Sequence, residues 1–266
     1  MNLFSNLITA ISSYGSAIEF VLKNKMKRYF LWPVVLNILF FTTGFHFLGE
    51  LSDQLLVWAE SLIDFDSWEF WGSEFLSKTI HFFLWIILKV LVFLILAFLG
   101  GHVVLILMSP ILAVVSEKTE RILEGNDYPF TLKQLLIDIL RGIRISVRNF
   151  AFEVLFIVLL FGLSFVPLLG LGTSPILVLV SAYYYGFSFI DYNLERKKYS
   201  VSDSVNYMKK NRGIVMGNGI IFALVLAIPF IGIALSSFVA IISAVAATIS
   251  LHKKNQKERT NSSLTA

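Results

Sequence analysis

The chain has 266 residues, of which 56% are hydrophobic and 15% charged, and its mean hydropathy is +0.76. Soluble domains are nearer a quarter charged, so this composition, with several apolar runs of roughly 18 or more residues, indicates an integral membrane protein. The net charge of +4 does not indicate nucleic-acid binding, since membrane proteins collect basic residues in cytoplasmic loops, and the absence of cysteine excludes disulfides and thiolate metal sites.

The first 22 residues form an amphipathic pattern with a period close to that of an α-helix. Polar residues oppose a single apolar stripe made of Leu3, Phe4, Leu7, Ile8, Ile11, Ile18, Val21 and Leu22. Since the rest of the chain offers little soluble core to cover such a stripe, we predict an interfacial helix over residues 1–22, lying in the lipid headgroup layer.

A basic cluster follows, in the stretch "KNKMKR", and it precedes a first predicted transmembrane helix over residues 29–49. One interpretation is that the cluster only anchors the cytoplasmic end of this helix, as basic residues commonly do. The other is that it also binds an anion, because backbone N–H groups and the helix dipole favour negative charge at a helix start. Beyond the helix, residues 50–78 form an acidic segment that we place outside the cytoplasm.

A second, longer span is predicted over residues 79–115, with Gly100-Gly101 and Pro110 as kink points. Cytoplasmic helices are predicted over residues 116–149. Thr131 and Gln134 have the spacing of a helix cap, and the helix that they begin carries three arginines along one side, expected to face lipid headgroups: Arg141, Arg144 and Arg148.

Two further apolar stretches, residues 150–192 and 214–251, are each broken by proline and glycine. The breaks share a pattern, "VPLLG" in the first and "IPFIG" in the second, and neither contains a charged residue. Paired, interrupted hydrophobic segments of this kind occur in transporters with internal repeats. We therefore predict two re-entrant helical hairpins, while a six-span arrangement, with hairpin tips that reach the far surface, fits the charge distribution equally well.

The distribution of charge predicts the orientation of the chain. Basic residues predominate in segments 19–28 and 191–212 and in the tail at 252–266, whereas segment 50–78 is acidic. The positive-inside rule then places both termini in the cytoplasm. Ser200 and Asp203 have capping-box spacing, which predicts one more short helix on the same side.

Catalytic chemistry is not indicated. The four histidines lack ligand-like spacing, no nucleophile or phosphate-loop motif is present, and neither an enzyme, a cofactor nor a metal site is expected. A histidine inside an apolar run, such as His102, is expected to be packed or hydrogen-bonded rather than a ligand. Glu117 and Arg121 have the i, i+4 spacing of a helical ion pair.

The chain resembles the CysZ family of bacterial sulfate permeases, whose superfamily includes the etoposide-induced membrane proteins of eukaryotes. The resemblance extends from about residue 20 to 250 and is carried, in order, by "NKMKRYFLWPVVLNILFF", "SPILAVVSEKTE", "VPLLGLGTSP", "FIDYNLERKKYS" and the second hairpin with "IPFIG". It implies an all-α membrane protein with an interfacial helix, two long transmembrane helices and two hemi-penetrating hairpins. It also implies a homo-oligomer in the lipid of the bacterial inner membrane, which moves sulfate toward cysteine synthesis.

The family's oxyanion site resembles a Gly-Leu-Arg-Arg turn, which corresponds here to Lys25, Met26, Lys27 and Arg28. Lys25 replaces the glycine and Lys27 the first arginine, so positive charge is kept while one bidentate donor is lost. For the anion path, the charged candidates are Lys89, Glu117, Glu120 and Arg144.

Two other functions remain open at this stage. One is a non-transporting scaffold or lipid-handling protein, which an interfacial helix and two wedge-like hairpins would suit. The other is a channel for a different anion, which would share the site and differ only in selectivity.

Overall fold

The structure is a computed structural model, and it describes residues 3–62, 68, 70–125, 131–166, 170–228 and 231–265. Every regular element within these ranges is helical, which confirms the predicted all-α class. The helices are α1 (Leu3–Lys23), a 3₁₀ helix (Met26–Phe30), α2 (Leu31–Ser61), α3 (Ser73–Glu124), α4 (Leu132–Ser164), α5 (Gly170–Arg196), α6 (Val201–Lys210), α7 (Arg212–Leu226) and α8 (Gly232–Thr265).

Among the described residues, five helical segments are long and apolar enough to cross a membrane. They are Met26–Ser61, Ser73–Phe93, Leu99–Glu124, Leu132–Ser164 and Gly232–Thr260. Two of them belong to the single helix α3. The helices are therefore compatible with the membrane protein that the composition predicts.

The chain divides into two compact units, one of residues Met1–Val34 with His102–Ala266 and the other of Val35–Gly101. In the first unit, α1, α5, α7 and α8 pack against one another, and α4 packs along α5. The second unit contains most of α2 and the first half of α3.

Helix α1 contacts α7 and α8 mainly through small and polar residues, together with Val21 from the apolar stripe. The buried residues are Asn6, Ala10, Ser13, Tyr14, Ala17 and Val21, and Tyr14 approaches the hydroxyl of Ser243 on α8 to 2.9 Å. In contrast, Leu3, Phe4, Ile8, Ile18 and Leu22 stay exposed. These five members of the stripe are thus left for lipid, which fits the interfacial position that remains a prediction.

Glycines allow α7 to approach its neighbours closely. Gly213 and Gly217 have the GxxxG spacing of tightly packed membrane helices. A Cβ on Gly217 would lie 2.6 Å from the Cβ of Ala10 on α1, and a Cβ on Gly219 would overlap the carbonyl of Ala182 on α5. Backbone contact at these crossings therefore fixes how the first unit packs.

The two predicted hairpins have matching turns. In each, five residues separate the paired helices, α4 from α5 and α7 from α8, and each second helix begins at a glycine, Gly170 or Gly232. Two described hydrogen bonds of each turn correspond: Val166 N–H to Leu163 O (3.1 Å) with Ile228 N–H to Val225 O (3.0 Å), and Gly170 N–H to Val166 O (3.1 Å) with Gly232 N–H to Ile228 O (2.9 Å). The prolines of both breaks, Pro167 and Pro229, lie outside the described residues.

Helix α3 remains helical through the predicted kink points at Gly100-Gly101 and Pro110. A proline has no N–H, so Pro110 cannot bond the carbonyl of Ile106 one turn earlier. The hydroxyl of Ser109 donates to that carbonyl instead, at 2.8 Å. A neighbouring side chain thus satisfies the backbone group that proline leaves behind, as the membrane interior requires.

The predicted helix caps are confirmed, while one predicted surface is different. Thr131 accepts a hydrogen bond from the Gln134 N–H, and Ser200 with Asp203 forms both halves of a capping box. Of the three arginines on α4, Arg144 is exposed, but the Arg141 side chain is only 14% exposed and donates two hydrogen bonds to Asp191 on α5, at 2.8 and 2.9 Å. Arg141 faces inward because the buried Asp191 carboxylate requires a charged hydrogen-bond partner.

Candidate anion-binding site

The basic cluster forms a tight turn between α1 and α2. Lys25 has φ 53° and ψ 36°, a left-handed conformation that favours glycine. Met26 is fully buried and begins the 3₁₀ helix, whereas Lys25, Lys27 and Arg28 are exposed. The buried methionine therefore anchors the turn while the three cations around it face outward. We refer to residues 25–28 as the basic turn.

The cations of this region differ in whether a carboxylate neutralises them. Lys23, at the end of α1, forms an ion pair of 2.5 Å with Glu19. Within the described part of the chain, no carboxylate lies within 4 Å of the cationic groups of Lys25, Lys27 or Arg28. Arg28 donates instead to the hydroxyl of Tyr29, at 3.2 Å, and its guanidinium lies 5.1 Å from the centre of that ring. Three positive charges are thus available to a ligand.

A fourth cation reaches the basic turn from α3. The Lys118 ammonium donates to the carbonyl of Asn24 at 3.4 Å and lies 5.6 Å from the centre of the Tyr29 ring. Sequence reasoning did not identify Lys118, because it lies 94 positions beyond Asn24 in the chain. It also belongs to the charged stretch "SEKTER", which is typical of a solvent-exposed helix. Its approach raises the positive potential beside Arg28.

This arrangement suits reversible binding of an oxyanion. Arg28 offers a planar fork of N–H donors, and the lysines act as point charges around it. Among the described residues, no group of three or more His, Cys, Asp or Glu side chains is placed to hold a metal ion.

Three other predicted path residues, Glu117, Glu120 and Arg144, belong to the first unit. Glu117 pairs with Arg121 at 2.9 Å, as its spacing predicts, and Glu120 pairs with Arg196 at 2.6 Å. Arg144 is exposed on α4. Their role in an anion path stays a prediction.

Lys89 belongs to the second unit. Its ammonium lies 4.3 Å from the centre of the Trp85 ring, one turn earlier in α3, and 3.9 Å from a carboxylate oxygen of Asp53 on α2. The partner that a lysine inside a membrane helix requires is therefore supplied from the same unit.

Sequence reasoning did not identify Glu153, the buried partner of His102 in the first unit. His102 on α3 lies 2.9 Å from Glu153 on α4, and the hydroxyl of Ser181 on α5 also bonds to that carboxylate. Both ionisable side chains are at least 95% buried. His102 is thus hydrogen-bonded, as predicted. Glu153 is the only acidic residue between positions 150 and 190, and a lone acid in an apolar stretch is a sign that its side chain has a polar partner.

Comparisons with known proteins identify the family of this chain. The chain matches the family described as Sulfate transporter CysZ/Etoposide-induced protein 2.4 over residues 13–236. A protein named Sulfate transporter CysZ from Pseudomonas aeruginosa is 26% identical over 221 residues, which cover 82% of this chain and 86% of the relative. Proteins of the same name from Pseudomonas fluorescens (26% identical, 81% and 83% covered) and Vibrio cholerae (24%, 83% and 84%) are similar as well. The family match covers most of the chain, and the chain therefore belongs to the family of CysZ and the etoposide-induced proteins.

Proposed function

We propose that this chain is a permease for sulfate or a related oxyanion in a bacterial inner membrane, and that it supplies sulfate assimilation and cysteine synthesis. The observation that carries the proposal is the basic turn, where Lys25, Lys27 and Arg28 face outward with no carboxylate of the described residues within 4 Å of their charged groups. Membership of the family supports the choice of anion, and so do the names of the similar proteins, each of which is called a sulfate transporter.

The basic turn would hold the anion at the cytoplasmic face, at the start of the helical segment Met26–Ser61. Arg28 would bind two oxygens of a tetrahedral anion, while Lys27 and Lys118 would contribute charge. Such exposed contacts release a ligand quickly, which suits passage through a permease rather than storage.

The membrane topology is part of the same proposal. Helix α7 has 15 residues, and at 1.5 Å per residue it extends only ~22 Å, against a hydrocarbon thickness of ~30 Å. The apolar end of α4, from Phe150 to Ser164, has the same length. The short length of these two arms supports re-entrant hairpins, although Leu132–Ser164 and Gly232–Thr260 as whole segments are long enough to cross. The proposed topology is one membrane domain over 1–266, with residues 29–49 and 79–115 as the two full spans and both termini in the cytoplasm. Assembly as a homo-oligomer rests on the family resemblance.

The direct test is uptake of radiolabelled sulfate into liposomes that contain the purified chain. The informative variant is Lys27→Ala/Arg28→Ala, which removes two cations of the basic turn that form no ion pair with a described carboxylate. Lys23→Ala is the matched control, because it removes a neighbouring cation that Glu19 already neutralises. We expect the double variant to lose about tenfold or more in flux at limiting sulfate, since a charged hydrogen bond contributes ~1.5–3 kcal/mol, and the control to transport like the parent.

The outcomes separate the alternatives. Parent-like flux in the double variant would keep the permease and reject the basic turn as its site. Flux of another anion with no competition by sulfate would reject sulfate as the substrate. No flux from a folded, inserted parent, together with lipid scrambling or membrane remodelling, would favour the scaffold or lipid-handling function instead.

A further inference from the structure

A second cationic site lies where α5 passes into α6. Lys197 and Lys198, just beyond the end of α5, and Lys210, at the end of α6, line a cavity of 560 Å³. All three side chains are exposed. We call this cavity the lysine basin, and it shares no lining residue with the basic turn.

Lys198 holds its place in the basin at a conformational cost. Its φ is 59°, and the hydrogen bonds from Lys198 N–H to Glu195 O (2.7 Å) and from Tyr199 N–H to Leu194 O (3.1 Å) form the helix ending that normally uses glycine at this position. Among the described residues, the non-glycine positions with positive φ are Lys25 and Lys198 alone. Both are lysines in a basic cluster, so in both places charge is present where glycine would be favoured.

The charge of the basin is not balanced from within. Its one carboxylate, Asp203, accepts hydrogen bonds from the Ser200 hydroxyl (2.6 Å) and the Ser200 N–H (3.2 Å), which hold it at the start of α6. No described carboxylate lies within 4 Å of the ammonium groups of the three lysines. Three lysines against one aspartate leave the basin an excess of two positive charges.

The remaining lining residues are two aromatic rings and an amide: Tyr199, Tyr207 and Asn206. The two rings meet edge to face with centres 6.1 Å apart, and Arg141 fixes the Tyr199 carbonyl with a hydrogen bond of 2.5 Å. Tyr207 is backed by Lys254, whose ammonium lies 5.4 Å from the ring centre. The wall is therefore held in place and offers both a hydrogen-bonding amide and flat apolar surface.

The size and chemistry of the basin indicate its ligand. Its volume falls within the range of ~300–1,000 Å³ typical of sites for organic ligands, and it exceeds the needs of a lone inorganic anion. Lysines bind phosphate as point charges, and aromatic rings contact the organic part of a ligand. We propose that the lysine basin binds the phosphate group of a phosphorylated organic molecule, either a soluble phosphate ester or the headgroup of an anionic phospholipid.

The test uses the purified full-length chain and two probes, one for each source of phosphate. Binding of glycerol 3-phosphate is measured by titration calorimetry in detergent. Binding of phosphatidylglycerol is measured by native mass spectrometry after release from nanodiscs of phosphatidylcholine with phosphatidylglycerol. The variant Lys198→Gly/Lys210→Ala removes two basin cations, and its glycine also relieves the left-handed strain, so the fold is preserved. Lys209→Ala is the matched control, since Lys209 is exposed on the same helix but does not line the basin.

We expect the parent to bind one of the two probes, and the double variant to bind it about tenfold or more weakly, with the control within about twofold of the parent. Binding of glycerol 3-phosphate would identify a soluble ester, and selective retention of phosphatidylglycerol a lipid. The proposal is overturned if the parent binds neither probe, or if the double variant and the control lose affinity equally. Sulfate flux through the double variant should equal that of the parent, so the proposed permease function does not enter this test.

Discussion

Arg196 and Glu120 form a buried ion pair of 2.6 Å between α5 and α3, with both side chains less than a tenth exposed. Arg196 also donates to the Ser116 hydroxyl at 2.7 Å and to the side-chain carbonyl of Asn193 at 3.1 Å. The guanidinium thus has three acceptors, and the carboxylate that sequence reasoning assigned to a transport path is held in a structural contact.

Removing one partner of this pair should destabilise the protein strongly. Arg196→Met leaves the Glu120 carboxylate buried without its cation, which typically costs ~3–5 kcal/mol, whereas Glu120→Gln/Arg196→Met removes both charges and should recover most of that loss. Thermal unfolding of the parent and both variants in detergent measures the difference. A double variant no more stable than the single one would show that the pair is not coupled.

The close crossings of α7 give a second prediction. At Gly219 an added Cβ overlaps the Ala182 carbonyl, and because backbone on both sides cannot yield, Gly219→Ala should cost ~1–3 kcal/mol. Gly162 on α4 has open space around its Cβ position, so Gly162→Ala should be neutral or should stabilise by up to ~1 kcal/mol through helix propensity. Equal unfolding temperatures for the two variants would contradict the packing of α5 on α7.

The Glu195 carboxyl should make the free energy of unfolding depend on pH. Burial raises the pKa of its carboxyl from 4.5 to about 8; Asp138 adds to the rise and Arg141 opposes it. The folded protein thus holds this proton more tightly than the unfolded chain. Its contribution to stability is full below a pH of about 4.5 and is lost as the pH rises to about 8.

In Glu195→Gln, the unfolding temperature should therefore fall less between about pH 5.5 and about pH 8.5 than it does in the parent. Asp203→Asn is a suitable control, because hydrogen bonds from Ser200 lower the pKa of Asp203 and keep it ionised throughout this range. The same fall in Glu195→Gln as in the parent would show that another group carries the pH dependence.

The buried contact of His102 with Glu153 tests whether hydrogen bonding or the charge of the carboxylate stabilises the fold. Glu153→Gln keeps an oxygen for the Ser181 hydroxyl and an amide for the His102 ring, so its unfolding temperature should stay close to that of the parent. Glu153→Ala removes the carboxylate that the His102 ring and the Ser181 hydroxyl share. It should lower the free energy of unfolding by ~1–3 kcal/mol, the desolvation penalty of buried polar groups that lose a partner. A large loss in Glu153→Gln would show that the ionised carboxylate itself is required.

Sequence reasoning succeeded where the signal is local. The caps at Thr131 and Ser200, the i, i+4 pair of Glu117 with Arg121 and the two matching breaks each depend on residues a few positions apart. The apolar stripe of α1 was also visible, although it does not identify the face that packs on protein. In a membrane protein both faces of a helix can meet apolar surroundings, so small residues such as Ala10 decide the contact.

Long-range pairs could not be predicted in the same way. Arg141 with Asp191, Glu120 with Arg196 and Lys118 with Asn24 join residues 50 or more positions apart, and each depends on how the helices pack. Composition assigns such charges to the surface by default. Lysine itself does not mark a turn, so the left-handed conformation of Lys25 has no signal in this sequence beyond the glycine that the family resemblance places there.

The left-handed conformation of Lys25 makes it possible to remove one charge from the basic turn without straining its backbone. Lys25→Gly relieves the left-handed backbone, worth ~1–2 kcal/mol, against ~0.4–1 kcal/mol for the greater freedom of glycine in the unfolded chain. The variant should therefore be as stable as the parent or up to ~1 kcal/mol more stable, as thermal unfolding would show.

If Lys25 is retained for its charge, the same variant should transport sulfate more slowly at limiting concentration, although its fold is no weaker. Lys198→Gly offers the matched control: it relieves the same strain at the lysine basin and should leave sulfate flux unchanged. Slower transport in Lys25→Gly alone would identify a lysine that contributes to anion binding at the expense of stability. Parent-like flux in both variants would restrict the binding role to Lys27 and Arg28, with Lys25 serving only to connect α1 to the turn.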